Sequence, residues 1–391
     1  MLAVIILIFS GLSSCFIENQ KSSIIRIALF NVWELSTVKI TDVDKNGVGQ
    51  NVQLKAAAQI IQKIKPDLLI INEIDHDYES LDQGLEANIN RFQMSYLVRG
   101  SDGISYPYIY TAPCNTGIPT GLDLSKDGII AGKDDVGSRA YGGDCYGYGT
   151  YPGQYSMGLL SKYPIDTLTV RTFQKFLWKD LPGHHMPPGF YDDDAVEIFR
   201  LSSKSHWDIP IFIGKKRIHL FLSHPTPQAF DGEEDRNGRR NFDEIKFWIH
   251  YLENDSSLYD DNGHYGGYNK EEFFIIAGDL NAPPDSDSRY DNQVAIEQLL
   301  NHPEIKDTGK WLVSNGALQG RTAGPPHYPE RNTAKFSQDF QTRIDYLLVS
   351  KEIVVTNGGV YWPSSTEDPE GNRLAEEASD HRLVWIDAVI P

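Results

Sequence analysis

Eight polar residues stand where apolar runs begin or stop. Asn31 follows IALF, Glu73 follows LLIIN, and His224 follows HLFLS. Asp279 and Asn281 close FFIIAGDLN, Asp345 lies within RIDYLLV, and Asp380-His381 precede RLVWID. Strand side chains alternate between two faces, so Asp279 and Asn281 can share one side while Leu280 turns back into the core. Taken alone that ending reads equally as a turn, with Pro283-Pro284 closing it. Several strands ending this way imply more. Carboxylates gathered away from water are costly unless a metal, a bound cation or shared protons offset them. Oxygen ligands with few nitrogens or sulfurs favour Mg2+, Mn2+ or Ca2+, and no CxxC or Cys/His cluster points to zinc. Mg2+ binds through one or two carboxylates plus a substrate phosphate, which suits phosphoester hydrolysis. A histidine beside an aspartate supplies an imidazole whose tautomer or charge can be fixed.

The elements that must position these residues alternate in type. Residues 24–30 read as a strand, and 52–65 as a helix with Leu54, Ala57, Ala58, Ile61 and Ile64 on one face. Residues 68–72 form the next strand, giving a strand, crossover helix, strand pattern. Further strands are expected at 155–160, 273–277, 343–349 and 382–390, with a hairpin of 211–213 and 218–223 about Gly214-Lys215-Lys216. Helices are expected at 236–251 and around 294–300. Residues 100–150 and 171–205 lack periodicity and read as long loops. With no repeat or linker, residues 24–391 read as one domain.

The N-terminus reads as a targeting segment. MLAVIILIFSGLSSC is too short an apolar run to span a bilayer comfortably and ends in small residues. Leu12-Ser13-Ser14-Cys15 resembles a bacterial lipobox, so residues 1–14 are expected to be a signal peptide and 15–23 a tether, with Cys15 lipidated; a plain secretory signal is the alternative. Either way the protein is expected to be exported, with contact to the membrane only through that anchor. Beyond Cys15 there remain Cys114 and Cys145, which in an oxidising compartment could form one disulfide. A formal charge of -18 argues against a stable complex with duplex DNA, and a monomer is expected.

NVWEL at 31–35, INEID at 71–75, SMGLLSKYPI at 156–165, SHPTP at 223–227, GDLNAPP at 278–284, RIDYLL at 343–348 and SDHRLV at 379–384 together resemble the endonuclease/exonuclease/phosphatase superfamily. In order they cover about residues 26 to 389. The resemblance implies a four-layer α/β sandwich, two packed mixed sheets flanked by helices as in deoxyribonuclease I, with one metal-dependent site at the strand ends. It implies Glu73 as the principal metal ligand, with Asn31 and Asp380 near the metal. Asp279 would orient or deprotonate the attacking water and Asn281 would hold a phosphate oxygen. Asp345 would pair with His381, which would stabilise the scissile phosphate. His224 matches a second histidine of the deoxyribonuclease branch; a satisfied histidine capping its strand is the other reading.

The substrate is less legible. Arg236, Asn237, Arg239, Arg240 and Asn241 open a helix directly after the His224 strand, where amide groups and arginines could cradle a phosphate. Glu233, Glu234 and Asp235 make a plain charged helix start equally compatible. Lys204 and Arg139 are further loop cations, and His184-His185 reads as surface. The expected function is a phosphodiesterase acting on small extracellular diesters or nucleic acid. A phosphomonoesterase, a sphingomyelinase-like phospholipase and a noncatalytic Ca2+-binding module are the alternatives.

Overall fold

The computed structural model describes residues 24–78, 84–270, 272–319, 321–322, 324 and 328–391. The signal peptide, tether and Cys15 lie outside the described residues. Among the described residues, sixteen strands form two large sheets and two small ribbons. The first sheet runs in the order β15 (Val354–Val360), β16 (Val384–Val389), β1 (Ile24–Leu35), β2 (Leu68–Ile74), β4 (Ser156–Ser161), β3 (Tyr108–Tyr110). The second runs β11 (Ile305–Lys306), β14 (Asp345–Ser350), β8 (Phe273–Asp279), β7 (Lys216–Ser223), β6 (His206–Ile213), β5 (Arg171–Thr172). The ribbons pair β9 (Arg289–Tyr290) with β10 (Gln293–Val294), and β12 (Ala334–Lys335) with β13 (Gln341–Thr342). Both large sheets are mixed: β1 and β2 are parallel, as are β7 and β8, and the other pairs are antiparallel.

Alternation along the strands explains the layers. In β8, Ile275 and Ala277 join the core shared with the first sheet, while Phe274 and Ile276 join a second core beneath the helix Arg236–Leu252. That helix buries Phe242, Ile245, Trp248 and Leu252, and Trp248 stacks on Phe221 with ring centroids 5.2 Å apart. The helices Val52–Ile64 and Pro369–Ala378 contribute Leu54, Ile61, Ala375 and Ala378 to the core on the first sheet's side. The expected four-layer α/β sandwich is the observed fold.

Several elements depart from the sequence reading. The hairpin arm begins at His206 rather than at 211, and the helix around 294–300 contracts to Glu297–Leu300. The strand Val354–Val360, with Asn357-Gly358-Gly359 inside it, and the helix Pro369–Ala378 were not expected. Gly358 and Gly359 mask the strand; a Cβ at Gly358 would meet Trp385 O at 2.9 Å, and one at Gly359 would crowd the Trp385 ring at 3.1 Å. The helix is opened by Asp368, whose side chain accepts from Gly371 N, and by Pro369 in its first turn.

A buried ion network ties the far end of the second sheet. His219 lies between Asp208 Oδ1 (2.6 Å) and Glu272 Oε2 (2.7 Å), and Arg217 joins Glu272 to Asp166. Burial lowers the His219 pKa, but the two carboxylates override it and leave it raised. Stabilisation from a raised histidine is complete below its unfolded value near 6.5 and is lost as pH rises through the folded value. His219→Gln is therefore expected to cost about 3 kcal/mol at pH 6, the scale of a broken buried pair. Thermal melts should show a smaller gap between the two proteins at pH 9 than at pH 6.

Candidate active site

The two sheets bring their polar strand ends to one place. Ile275, Ala277 and Asp279 share the inner face of β8, as Asp345, Leu347 and Val349 share that of β14. Asp345 is the direct cross-strand partner of Asp279. Gly278 is required just before Asp279, because a Cβ there would meet Ser223 O of β7 at 1.9 Å. From the first sheet, Asn31 Nδ2 donates to Glu73 Oε1 (3.0 Å) and to Asp279 Oδ2 (2.9 Å), bridging the layers. Glu34 N fixes the other Glu73 oxygen at 2.9 Å.

Simple alternation fails at Glu73, and the failure is informative. Asn72 accepts from Asp279 N at 2.9 Å, so it already faces the second sheet. Its neighbour Glu73 should then face away. Glu73 instead adopts φ 66°, and the register of β2 slips between Asn72 and Ile74, which turns its carboxylate back toward Asn31. Trp33 (27°), Glu34 (55°) and Asn281 (49°) also have positive φ beside the site. Such strained backbone concentrates where geometry is functional.

The histidines complete the centre. His381 Nδ1 bonds Asp345 Oδ2 at 2.9 Å, and its Nε2 lies 3.7 Å from Asp279 Oδ2. Thr333 Oγ1 donates to the same Asp345 oxygen (2.7 Å), while Asp345 Oδ1 is buried without a partner. His224 Nε2 approaches Asp279 Oδ2 at 3.4 Å, and its Nδ1 is buried and unpartnered. Burial lowers the His381 pKa, but Asp345 and Asp279 outweigh it and raise it to about 10. Burial raises Asp279, but the charge of His381 and the bond from His224 hold it well below the usual carboxylate range. Burial dominates at Asp345, raising it to about 6 despite His381. Burial, then the Lys204 charge, lowers His224.

Asn281 N donates to Asp279 Oδ1 (3.0 Å), and its side chain donates to Pro225 O (3.1 Å), directly after His224. Asp380 adjoins them through Ser379, whose hydroxyl donates to Asn31 O (2.8 Å) and lies 3.3 Å from Asp380 Oδ1; burial raises the Asp380 pKa, with His381 opposing and Glu73 adding to the rise. The structure thus brings all eight strand-end residues together. Sequence reasoning missed Asn72, whose only signal was a polar residue next to Glu73, and Thr333, which lies twelve residues before Asp345 and carried no signal. It undervalued Lys204, which is 6% exposed and has a single long contact, 3.5 Å from Pro225 O. Burial lowers the Lys204 pKa, while Glu244, Glu73 and Asp279 oppose that.

The helix-start cradle is not formed. Arg240 is buried and donates to Leu201 O (2.8 Å), Arg200 O (2.9 Å) and Tyr146 O, stapling loops to the helix. Arg236 pairs with Glu234, Arg239 Nε donates to Glu234 O, and Asn237 donates to Ala229 O. Acidic and carbonyl groups of the preceding turn consume these donors. Asn241 is the residue of that helix that supports the site, donating to Thr226 O, Leu280 O and Asn281 O. His185 bonds Asp243 at 2.8 Å, away from the centre.

Cys114 and Cys145 are both free and buried, contrary to the expected disulfide. Cys114 Sγ lies 3.0 Å from Thr116 Oγ1, whereas Cys145 donates to Tyr141 O and bridges Pro119. The loop register sets Cys145 opposite Pro119 instead of Cys114. Alkylation in denaturant without reductant is expected to label both cysteines; a 114–145 cross-linked peptide would reverse this.

Stacked mixed sheets with an acid-histidine centre at their strand ends define a site suited to phosphoester chemistry. The chain belongs to the Endonuclease/Exonuclease/phosphatase family, whose model matches residues 28–381. Members of that family are metal-dependent phosphoester hydrolases. No curated protein matches the chain. Among solved structures, an endonuclease/exonuclease/phosphatase from Beutenbergia cavernae is similar at 14% identity and a TM-score of 0.49, over 94% of this chain and 72% of that one. One from Bacteroides vulgatus is similar at 15% identity and 0.47, over 94% and 100%. A mannosyl-6-phosphatase from Bacteroides thetaiotaomicron is similar at 12% identity and 0.46, over 94% and 100%.

Proposed function

We propose that this chain is a divalent-metal-dependent phosphodiesterase acting on small diesters or nucleic-acid fragments. The observation that carries the reading is the approach of His381, His224 and Asn31 to one oxygen of Asp279, beside Glu73. The donor set fits a hard cation. Glu73 and Asp279 are gathered at Asn31, with Asp380 nearby, and Glu73, His224 and Asp279 each offer an atom within 4.8 Å of the others. Glu73, Asp380 and Asn31 would hold Mg2+ or Mn2+, with Ca2+ a further candidate. When bound, such an ion neutralises charge on phosphoryl oxygens.

The chain's own residues supply the rest. Asp279, kept ionised, orients the attacking water and accepts its proton. His381, kept cationic by Asp345, donates from Nε2 toward a nonbridging oxygen. Asn281 and Lys204 hold further phosphate oxygens, and His224, which approaches the same Asp279 oxygen as His381, assists the departing oxygen. The test is a Mg2+/Mn2+-supplemented screen of bis(p-nitrophenyl) phosphate, p-nitrophenyl phosphate, DNA, RNA and sphingomyelin. Hydrolysis of the diester ahead of the monoester, abolished by chelator, is expected; inertness toward every substrate would overturn the reading. The chain is also proposed to be exported and lipid-anchored, so Cys15→Ser should release it from the membrane fraction.

A further inference from the structure

A pair of partly exposed phenylalanines adjoins the central imidazole, Phe336 packing on it and Phe340 on Phe336. In the turn between β12 and β13, Phe336 packs edge-to-face on His381, with centroids 5.7 Å apart and planes at 81°. Phe340 packs on Phe336 at 5.5 Å. The hairpin is fixed to the site: Ala334 bridges His381, and Lys335 N donates to Asp380 O at 2.8 Å. Yet Phe336 is 46% and Phe340 56% exposed. Trp33 is 51% exposed, and its backbone N–H donates to Asn31 Oδ1 at 3.1 Å. Ser379 donates to Asn31 O, so segment 379–381 runs between the indole's strand and the phenylalanine hairpin. Single exposed apolar residues need no explanation. Contiguous rings pinned to the residue facing the phosphate do.

We propose that Phe336 and Phe340 stack a planar ring carried by the ester group nearest His381, with Trp33 as a second platform. The site would thereby prefer diesters bearing a nucleobase or another aryl group over ring-free diesters. This inference rests on the phosphodiesterase reading. Ring stacking needs a π-face and tolerates different bases, so it selects a class rather than a sequence. An acidic surface disfavours duplex DNA but leaves dinucleotides and short single strands as substrates. A bilayer is the less fitting occupant, because the hairpin tip is Ser337-Gln338-Asp339 and the chain carries a formal charge of -18.

The test compares the wild type with the Phe336→Leu/Phe340→Leu variant, which keeps apolar bulk and removes the rings. For dithymidine monophosphate and diphenyl phosphate, kcat/KM is expected to fall about ten-fold, the scale of base–aromatic stacking. For glycerophosphoglycerol it should change less than about two-fold, showing that His381 remains in place. Equilibrium dialysis should show weakened binding of thymidine 3′,5′-bisphosphate and unchanged binding of glycerol phosphate. Equal losses on ringed and ring-free substrates, or none on the ringed ones, would overturn the proposal. So would a variant defective only on sphingomyelin vesicles, which would assign the rings to a lipid surface. Hydrolysis of bis(p-nitrophenyl) phosphate by the wild type separates the two readings. Without it both fall, whereas with it and equal losses only this one falls.

Discussion

Asp279→Asn is expected to lower kcat on bis(p-nitrophenyl) phosphate by about a hundred-fold or more, with the circular dichroism spectrum unchanged. The substitution preserves size and one acceptor oxygen, so packing in the centre survives. It removes the charge that His381, His224 and Asn31 converge on. An amide cannot take a proton from water, and a positioned general base contributes about a hundred-fold to ten-thousand-fold. Asn281 N and Asn31 Nδ2, which donate to the two oxygens of Asp279, would compete for the one remaining carbonyl. Binding of inorganic phosphate should survive far better than turnover, because Asn281 and Lys204 are untouched. A variant turning over at the wild-type rate would place the base elsewhere.

The sheets were largely legible because their strands are continuous apolar runs, buried on both faces and ended by turn residues. The polar strand ends were legible for the opposite reason. A carboxylate directly after four or five apolar residues has no place in a core without a partner. What sequence could not give is backbone irregularity. Period-two alternation assigns Asn72 and Glu73 to opposite faces, yet both serve the site because Glu73 is left-handed. Nor could it show who consumes a donor. Arg240 reads as a phosphate ligand until three carbonyls take its guanidinium, and Lys204 reads as a loop cation until its ammonium proves almost unpartnered. The strand Val354–Val360 was hidden by glycines packed against a neighbouring tryptophan.

His381→Gln is expected to reduce kcat by about a hundred-fold to a thousand-fold, the usual effect of removing one preorganised donor from a developing oxyanion. Asp345→Asn should cost somewhat less. Its loss frees the imidazole from the carboxylate that, with Asp279, keeps it cationic, but leaves His381 anchored by its backbone, through the Ala334 bridge and the N–H bond to Ser379 Oγ. The two residues act as a unit, so their effects should not add. The double variant is expected to be no slower than His381→Gln alone within about two-fold, because Asp345 has no other path to the phosphate. Among the described residues its Oδ2 bonds Thr333 and His381, and its Oδ1 is buried without a hydrogen-bond partner. Stability should move the other way. His381→Gln strands a buried carboxylate that has lost its cation, whereas the double variant removes both charges and should melt higher than that single variant. A dyad that speeds the reaction while costing burial energy therefore predicts opposite orders of activity and stability for Asp345→Asn across the two backgrounds, and one set of melts and rates decides it.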